Sequence, residues 1–233
     1  MSTYCLKIKL LSDTTFGRGD GVAGLIDQEV EHDPYGFPYL RGRTLKGLLR
    51  EECDNLVALL PPGCPPSWRE VADALFGIPG SGIGTIARMH VGDACLPEDL
   101  RREVALQFEQ EENREKYRGE KRTLTTADIL SSLTAFRRQT AIDPKDGTPT
   151  DGSLRSSRVV LRELCFSASL ILNTQLTDDL NKMLALLAAG TLALRRIGSG
   201  RNRGRGHVQC TLWQGREEIT TQYIRYFEQE TKA

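Results

Sequence analysis

Three stretches of this 233-residue sequence carry side chains suited to phosphate and phosphodiester chemistry. The first is IGSGRNRGRGH, residues 197–207, where Gly198, Gly200, Gly204 and Gly206 alternate with Arg201, Arg203 and Arg205. Glycine lets a backbone turn tightly and approach a ligand closely, and the guanidinium groups supply charge. A dinucleotide-binding fingerprint needs strand, glycines, then helix; here the pattern predicts a helix before the glycines and a strand after them. No Gly-Lys-Ser/Thr closes a P-loop. Two readings are left: a glycine-rich loop on an RNA backbone, or a basic turn with no ligand. The second stretch is GLIDQEVEHD, residues 24–33, which holds Asp27, Glu29, Glu31, His32 and Asp33. A carboxylate in such a polar, glycine-flanked loop suits a divalent metal, or the placing of a ribose 2′-hydroxyl for in-line attack on the adjacent phosphate. Local pattern reads Glu29 and Glu31 as solvated and Asp33, before Pro34, as a turn residue. His32 reads as a surface loop residue rather than a general base. The third stretch is Gly42 to Lys46, the predicted opening of a helix. Its free N–H groups and positive dipole end suit a phosphate; Thr44 can act as cap or phosphate donor, and Lys46 adds a point charge.

Several elements must position these groups. Tyr4–Leu11 alternates apolar and polar residues and predicts a half-buried strand. Residues 12–43 are rich in glycine, proline and charge, and a loop that long in a compact domain is usually functional. A helix capped by Thr44 carries Leu45, Leu48, Leu49, Leu56 and Leu60 at helical spacing and ends at Pro61-Pro62-Gly63. Trp68–Phe76 predicts a short helix closed by Gly77, and Ile83–Asp93 a strand behind a glycine-rich turn. Residues 98–122 predict an exposed helix or mobile segment. Residues 139–157 hold Asp-Pro and two Asp-Gly turn signals between arginine-bearing arms, which suits a projecting hairpin. With no aromatic it offers no stacking platform, only Ile142 or Leu154 as a wedge. Val159–Leu172 alternates as a strand, and Leu176 to Asp179 supply the staple, cap and acidic first turn of a helix running to about Leu194. Gly206–Trp213 predicts the last strand; the tail 214–233 shows no decisive pattern. Strand, helix, strand, strand, helix, strand is the β-α-β-β-α-β plan of an α+β, ferredoxin-like or RRM-like domain with long insertions.

Composition narrows the class. Lys plus Arg and Asp plus Glu number 31 each, so the whole-molecule field gives no case for nucleic acid. The distribution does: Arg195, Arg196, Arg201, Arg203 and Arg205 cluster without an intervening acid, Arg41, Arg43, Lys46 and Arg50 form a second group, and Arg137, Arg138, Arg155, Arg158 and Arg162 a third. No apolar run approaches the roughly 20 residues of a membrane span. The six scattered cysteines form no Cys-x-x-Cys pair, which points to reduced thiols in a cytoplasmic protein without a zinc ribbon.

With these motifs in chain order, the sequence resembles the RAMP superfamily, specifically the repeated backbone subunit of type III CRISPR effector complexes. IGSGRNRGRGHV is similar to that family's C-terminal glycine-rich signature. GLIDQEVEHDPYGFPYLRGRTLKGLLR resembles its aspartate-bearing loop and following helix start, with Arg43-Thr44 where many relatives have Ser-Ser. LFGIPGSGIGTIARMHVGDACL resembles the element leading into the second core strand, and FRRQTAIDPKDGTPTDGSLRSSRVVLRELCF the thumb hairpin with its basic flanks. The resemblance implies a single RRM-like domain over 1–233, with a core of roughly 1–96 and 159–214 and an insertion at 97–158 that includes a thumb at about 137–158. It implies contacts to a CRISPR guide RNA through Arg43, Thr44, Lys46, Arg137, Arg138, Gly198, Gly200, Arg201, Arg203, Gly204 and Arg205. Further partners would be target RNA, other copies or paralogues of the fold in a filament, and other effector subunits, with no membrane. Asp27 matches the family's target-cleaving aspartate, which would use a divalent ion, Mg or Mn, and leave a 2′,3′-cyclic phosphate and a 5′-hydroxyl. Two alternatives stay open: a structural RNA-binding subunit with Asp27 inert, and a repeat-processing endonuclease using His32 or a tyrosine without metal.

Overall fold

The computed structural model describes residues 2–19, 26–61, 67–78, 86–118, 122–173 and 179–232. Its main sheet is built from β1 (Ser2–Leu10), β2 (Met89–Val91), β5 (Cys165–Leu172), β6 (Val208–Gln214) and the short β7 (Glu217–Glu218), in the order β2-β5-β1-β6-β7 with every neighbouring pair antiparallel. A separate two-stranded ribbon pairs β3 (Thr134–Gln139) with β4 (Arg155–Val160). The helices are α1 (Gly42–Ala58), α2 (Ser67–Phe76), α3 (Glu98–Arg118), α4 (Thr126–Leu133), α5 (Leu180–Ala193) and α6 (Thr220–Thr231).

Alternation in β1 sends Leu6, Ile8 and Leu10 into the core and leaves Lys7 and Lys9 on an exposed sheet face. Against the buried face lies α5, apolar nearly all round; Met183 to Thr191 are all buried because α1, α2, α6 and β6 pack around it. At Gly190 any Cβ would collide with the Cys53 sulfur of α1, so the two helices cross closely. No described helix is long and apolar enough to cross a membrane.

Several boundaries differ from expectation. The alternation over 159–172 belongs to two strands. A turn at Leu161–Leu164 intervenes, with Glu163 at φ 70° and Arg162 and Glu163 exposed, between the buried Val160 of one strand and the buried Phe166 of the next. Only Met89–Val91 of the expected strand 83–93 pairs, and residues 79–85 of its glycine-rich turn lie outside the described residues. Helix α1 starts earlier than expected: Arg41 is its cap residue, Thr44 lies inside its first turn, and the Asp93 carboxylate accepts from the Gly42 N–H at 2.7 Å. The cap of α5 is Asp179, whose side chain accepts from Lys182 N; Leu176, Thr177 and Asp178 lie outside the described residues, as do Pro62 and Gly63 of the expected α1 stop. Two helices are additional: α4, opened by a capping box between Thr125 and Asp128, and α6, whose Phe227 packs edge-on to Trp68.

Glu111 of α3 clasps the approach to α4. It is buried, and its carboxylate accepts from Thr123 Oγ1, Thr123 N, Leu124 N and Gln107 Nε2. Those bonds, the Thr123 hydroxyl foremost, pull its pKa from 4.5 down to about 2. A depressed folded-state pKa means the clasp's stabilisation is complete above pH 4.5 and is lost as pH falls through 2. Opening of the Thr123 and Leu124 amides, followed by hydrogen exchange, should therefore increase over that window in the wild type. In Glu111→Gln it should be raised already at neutral pH and show no such pH dependence.

Candidate nucleic-acid interface

The α5–β6 loop is pinned before any ligand arrives. Ile197 N donates to Gly206 O (2.9 Å), Gly206 N to Asp13 O (3.0 Å), Ser199 N to Thr15 O (2.9 Å) and Thr14 Oγ1 to Ile197 O (2.9 Å). Gly198 and Gly206 therefore serve the protein's own packing. A Cβ at Gly206 would strike Ile197 O, and one at Gly198 would strike Thr14 and Thr15. Gly200 and Gly204, both left-handed, bracket a single 3₁₀ turn at Arg201–Arg203 that holds the arginines outward; at Gly204 a side chain would meet open space.

This loop forms one wall of an open groove of about 980 Å³. Arg155, Arg195, Arg196, Arg201, Arg203 and Arg205 line it, with Asp27, Glu51 and Glu52 among them. Arg155, Arg195 and Arg203 have no acidic partner among the described residues. Arg205 donates to Ser157 Oγ (2.9 Å), Arg201 lies 3.6 Å from Glu51, and Arg196 donates to the Arg201 carbonyl. Burial, reinforced by Glu51, pushes the Glu52 carboxyl up. Six arginines against three acids leave the groove electropositive.

Asp27 enters the same groove through a strand-like pairing. Its N–H donates to Ser156 O (2.9 Å), its Oδ2 accepts from Ser156 N (2.6 Å), and Gln28 bridges Ser157 in parallel. The next residues are locked to the ribbon: Arg158 N donates to Gln28 O (3.0 Å) and Arg158 Nε to Glu29 Oε1 (2.7 Å). Glu29 and Glu31 were expected to be solvated; both are buried. Glu31 takes the Tyr39 hydroxyl (3.0 Å) and lies 2.7 Å from the Arg41 guanidinium. Asp33 is a turn residue as expected, accepting from Tyr35 N and Phe37 N, and it also holds Arg101. His32 is half-buried, its Nδ1 beside Asp33 O.

The other residues expected to touch RNA divide. Arg201, Arg203, Arg205, Gly198 and Gly200 line the groove. Thr44 lines a smaller adjoining cavity of about 240 Å³ that shares Gly198, Ser199 and Arg201 with it. Arg43 is exposed on α1 outside both. Lys46 donates to Met89 O (2.9 Å), tying α1 to β2, and burial, aided by Arg50, lowers its pKa. The helix N-terminus is partly taken too, since Asp93 accepts from Gly42 N. Arg137 is held by Asp13 (2.7 Å), and Arg138, exposed on β3, alternates to the opposite ribbon face. Arg155, Arg195 and Arg196 had a sequence signal as members of basic clusters. Glu51 and Glu52 had only their helical spacing from Thr44, and Ser156 and Ser157 none.

A family model for the RAMP superfamily matches residues 7–209, most of the chain. The chain belongs to the RAMP superfamily. No curated protein matches this RAMP protein in sequence. Its structure is similar to a chain of the Type III-B Cmr-beta complex bound to cognate target RNA, seen by cryo-EM, with 14% identity, a TM-score of 0.61, and 96% of this chain and 99% of that chain covered. A chain of the apo Type III-B Cmr-beta complex aligns with 15% identity and a TM-score of 0.63 over 92% of this chain and 98% of that one. At these identities the likeness is one of fold.

Proposed function

We propose that this RAMP protein is a cytoplasmic backbone subunit of a type III CRISPR effector complex that holds guide RNA in the arginine groove and cuts complementary target RNA at Asp27. The observation that carries the reading is the convergence, in one groove, of the pinned Arg201–Arg205 loop and the Asp27 segment, which are far apart in sequence. The names of its structural relatives, a type III-B complex with and without cognate target RNA, support the setting. In this reading the β1-α1-β2-β5-α5-β6 elements are a ferredoxin-like core and the β3–β4 ribbon is a thumb. Other copies or paralogues and further effector subunits complete a filament along the guide.

The division of labour follows from residue chemistry. Arg203, Arg195 and Arg155, without acidic partners among the described residues, neutralise phosphates; Arg205 and Arg201 are already oriented by Ser157 and Glu51. Asp27 orients the attacking ribose hydroxyl or, with substrate phosphate oxygens and water, holds a Mg or Mn ion. Among the described residues no group of three or more His, Cys, Asp or Glu side chains converges, and one carboxylate plus substrate phosphate fits how Mg²⁺ is usually held. When bound, that ion supplies charge neutralisation at the phosphodiester. One observation favours a second reading, a structural subunit with Asp27 inert: Asp27 Oδ2 is already engaged by Ser156 N.

Incubating the assembled complex with labelled target RNA and labelled repeat precursor, with and without EDTA, separates the readings. EDTA-sensitive cutting of target alone supports the proposal. No cutting leaves the structural role, and EDTA-resistant cutting of precursor indicates a processing nuclease. RNA retention is tested separately with Arg201, Arg203 and Arg205 replaced by Ala. The slope of log K against log salt should flatten by about 0.7 for each phosphate no longer neutralised, while the melting temperature stays near wild type. An unchanged slope would remove RNA from this loop.

A further inference from the structure

Arg205 lines both the groove and a second pocket of about 630 Å³ at the base of the β3–β4 ribbon. Around this second pocket stand Asp13, Arg137, Arg162, Glu163 and Gly204. Its acids are already engaged. Asp13 Oδ2 accepts from Arg137 Nε (3.0 Å) and Nη2 (2.7 Å), Asp13 Oδ1 accepts from Arg162 N (3.2 Å), and Glu163 pairs with Lys9 (2.9 Å). The Arg162 side chain is exposed and has no acidic partner among the described residues. A tight turn presents it: Glu163 is the one described non-glycine residue at positive φ, held by its N–H on Leu10 O and its carboxylate on Lys9.

Two further features match a nucleotide. Asp13 fixes the Arg137 guanidinium while leaving the side chain 49% exposed, and a planar, pre-oriented guanidinium is a surface on which a nucleobase stacks. Gly204 lies at this pocket with nothing within 4 Å of where a Cβ would stand, so bare backbone borders the crossing beside Arg205.

We infer that single-stranded RNA lying in the groove crosses at Gly204 and Arg205 and continues into this pocket, where Arg162 meets a phosphate and the Arg137 guanidinium a base. The inference rests on the RNA-binding reading above and extends the path beyond the groove that reading requires. The test uses the full chain and uridine oligonucleotides of about 4 and about 12 nucleotides, the range of site sizes of small single-strand binders. Arg162→Ala should weaken binding of the longer RNA several-fold and flatten its salt slope by about 0.7, and should leave the shorter RNA and the melting temperature unchanged. No change with the longer RNA overturns the inference. So does an equal loss with both, which would mark Arg162 as a contributor to the general field only. Arg203→Ala, in the groove, should weaken both RNAs. If Arg203→Ala is effective while Arg162→Ala is silent, the extension alone fails; if Arg203→Ala changes neither RNA, the groove reading itself fails.

Discussion

Replacing Arg158 by Met should lower the unfolding free energy by about 3–5 kcal/mol, the usual consequence of removing one partner from a buried ion pair. Arg158 and Glu29 are 15% and 7% exposed and meet at 2.7 Å. The same guanidinium donates to Thr134 Oγ1 (3.2 Å) and lies 4.4 Å from the Phe136 ring centroid. Its loss takes the guanidinium away from the buried Glu29 carboxylate, which among the described residues keeps the N–H of its neighbour Val30 as a donor. The double variant Glu29→Leu with Arg158→Met should regain most of that stability, since a well-packed apolar pair often equals a buried ionic one. Urea denaturation of wild type, Arg158→Met and the double variant measures both the loss and the recovery. A loss below about 1 kcal/mol in Arg158→Met, the range of exposed pairs, would show that the pair is solvated and does not anchor the ribbon. The consequence reaches the site, because Arg158 lies two residues from Ser156, the backbone partner of Asp27.

Asp27→Asn should reduce target-RNA cleavage by the assembled complex on the order of 10²-fold or more, the size of loss that misplacing a reacting group brings. Affinity for target RNA and melting should stay near wild type. Asn keeps a side-chain oxygen able to accept from Ser156 N, so the pairing of this segment with β4 survives while the negative charge goes. Asp27→Ala removes both and separates them: cleavage lost equally in the two variants, with only Ala reducing stability, assigns the charge to chemistry and the hydrogen bond to structure. Normal cleavage by Asp27→Asn would take Asp27 out of the reaction and favour the structural reading.

The β1 strand, α1, α2, α5 and β6 were legible because each carries a local period. Leu6, Ile8 and Leu10 alternate at two, and Leu45 and Leu49 recur at four, whatever they later pack against. The hairpin turns over 139–157 were legible for the same reason: Asp-Pro and Asp-Gly act within a few residues. The helix α4 was legible in principle, since the Thr125–Asp128 box is local, yet it was not expected from the sequence. The arginine loop was conspicuous by composition alone. Its glycines had a different use from the one composition suggests, because Gly198 and Gly206 pack against Thr14, Thr15 and Ile197, and the two threonines are brought in from a distant part of the chain.

The acids show where local reading stops. Glu29 and Glu31 stand in a polar loop and read as solvated, but Glu29 meets Arg158 at a sequence separation of 129 and both carboxylates are buried. Lys46 reads as a cation at a helix start and is instead half-buried on the Met89 carbonyl. Residue type and short-range spacing thus determined which groups this protein has to offer and which segments become helix or strand, since those depend on backbone geometry over a few residues. Tertiary structure alone decided which charges are consumed inside the fold and which remain for a ligand. An ion pair stabilises a buried carboxylate only when a distant partner arrives within about 3–4 Å, and no local pattern encodes that arrival.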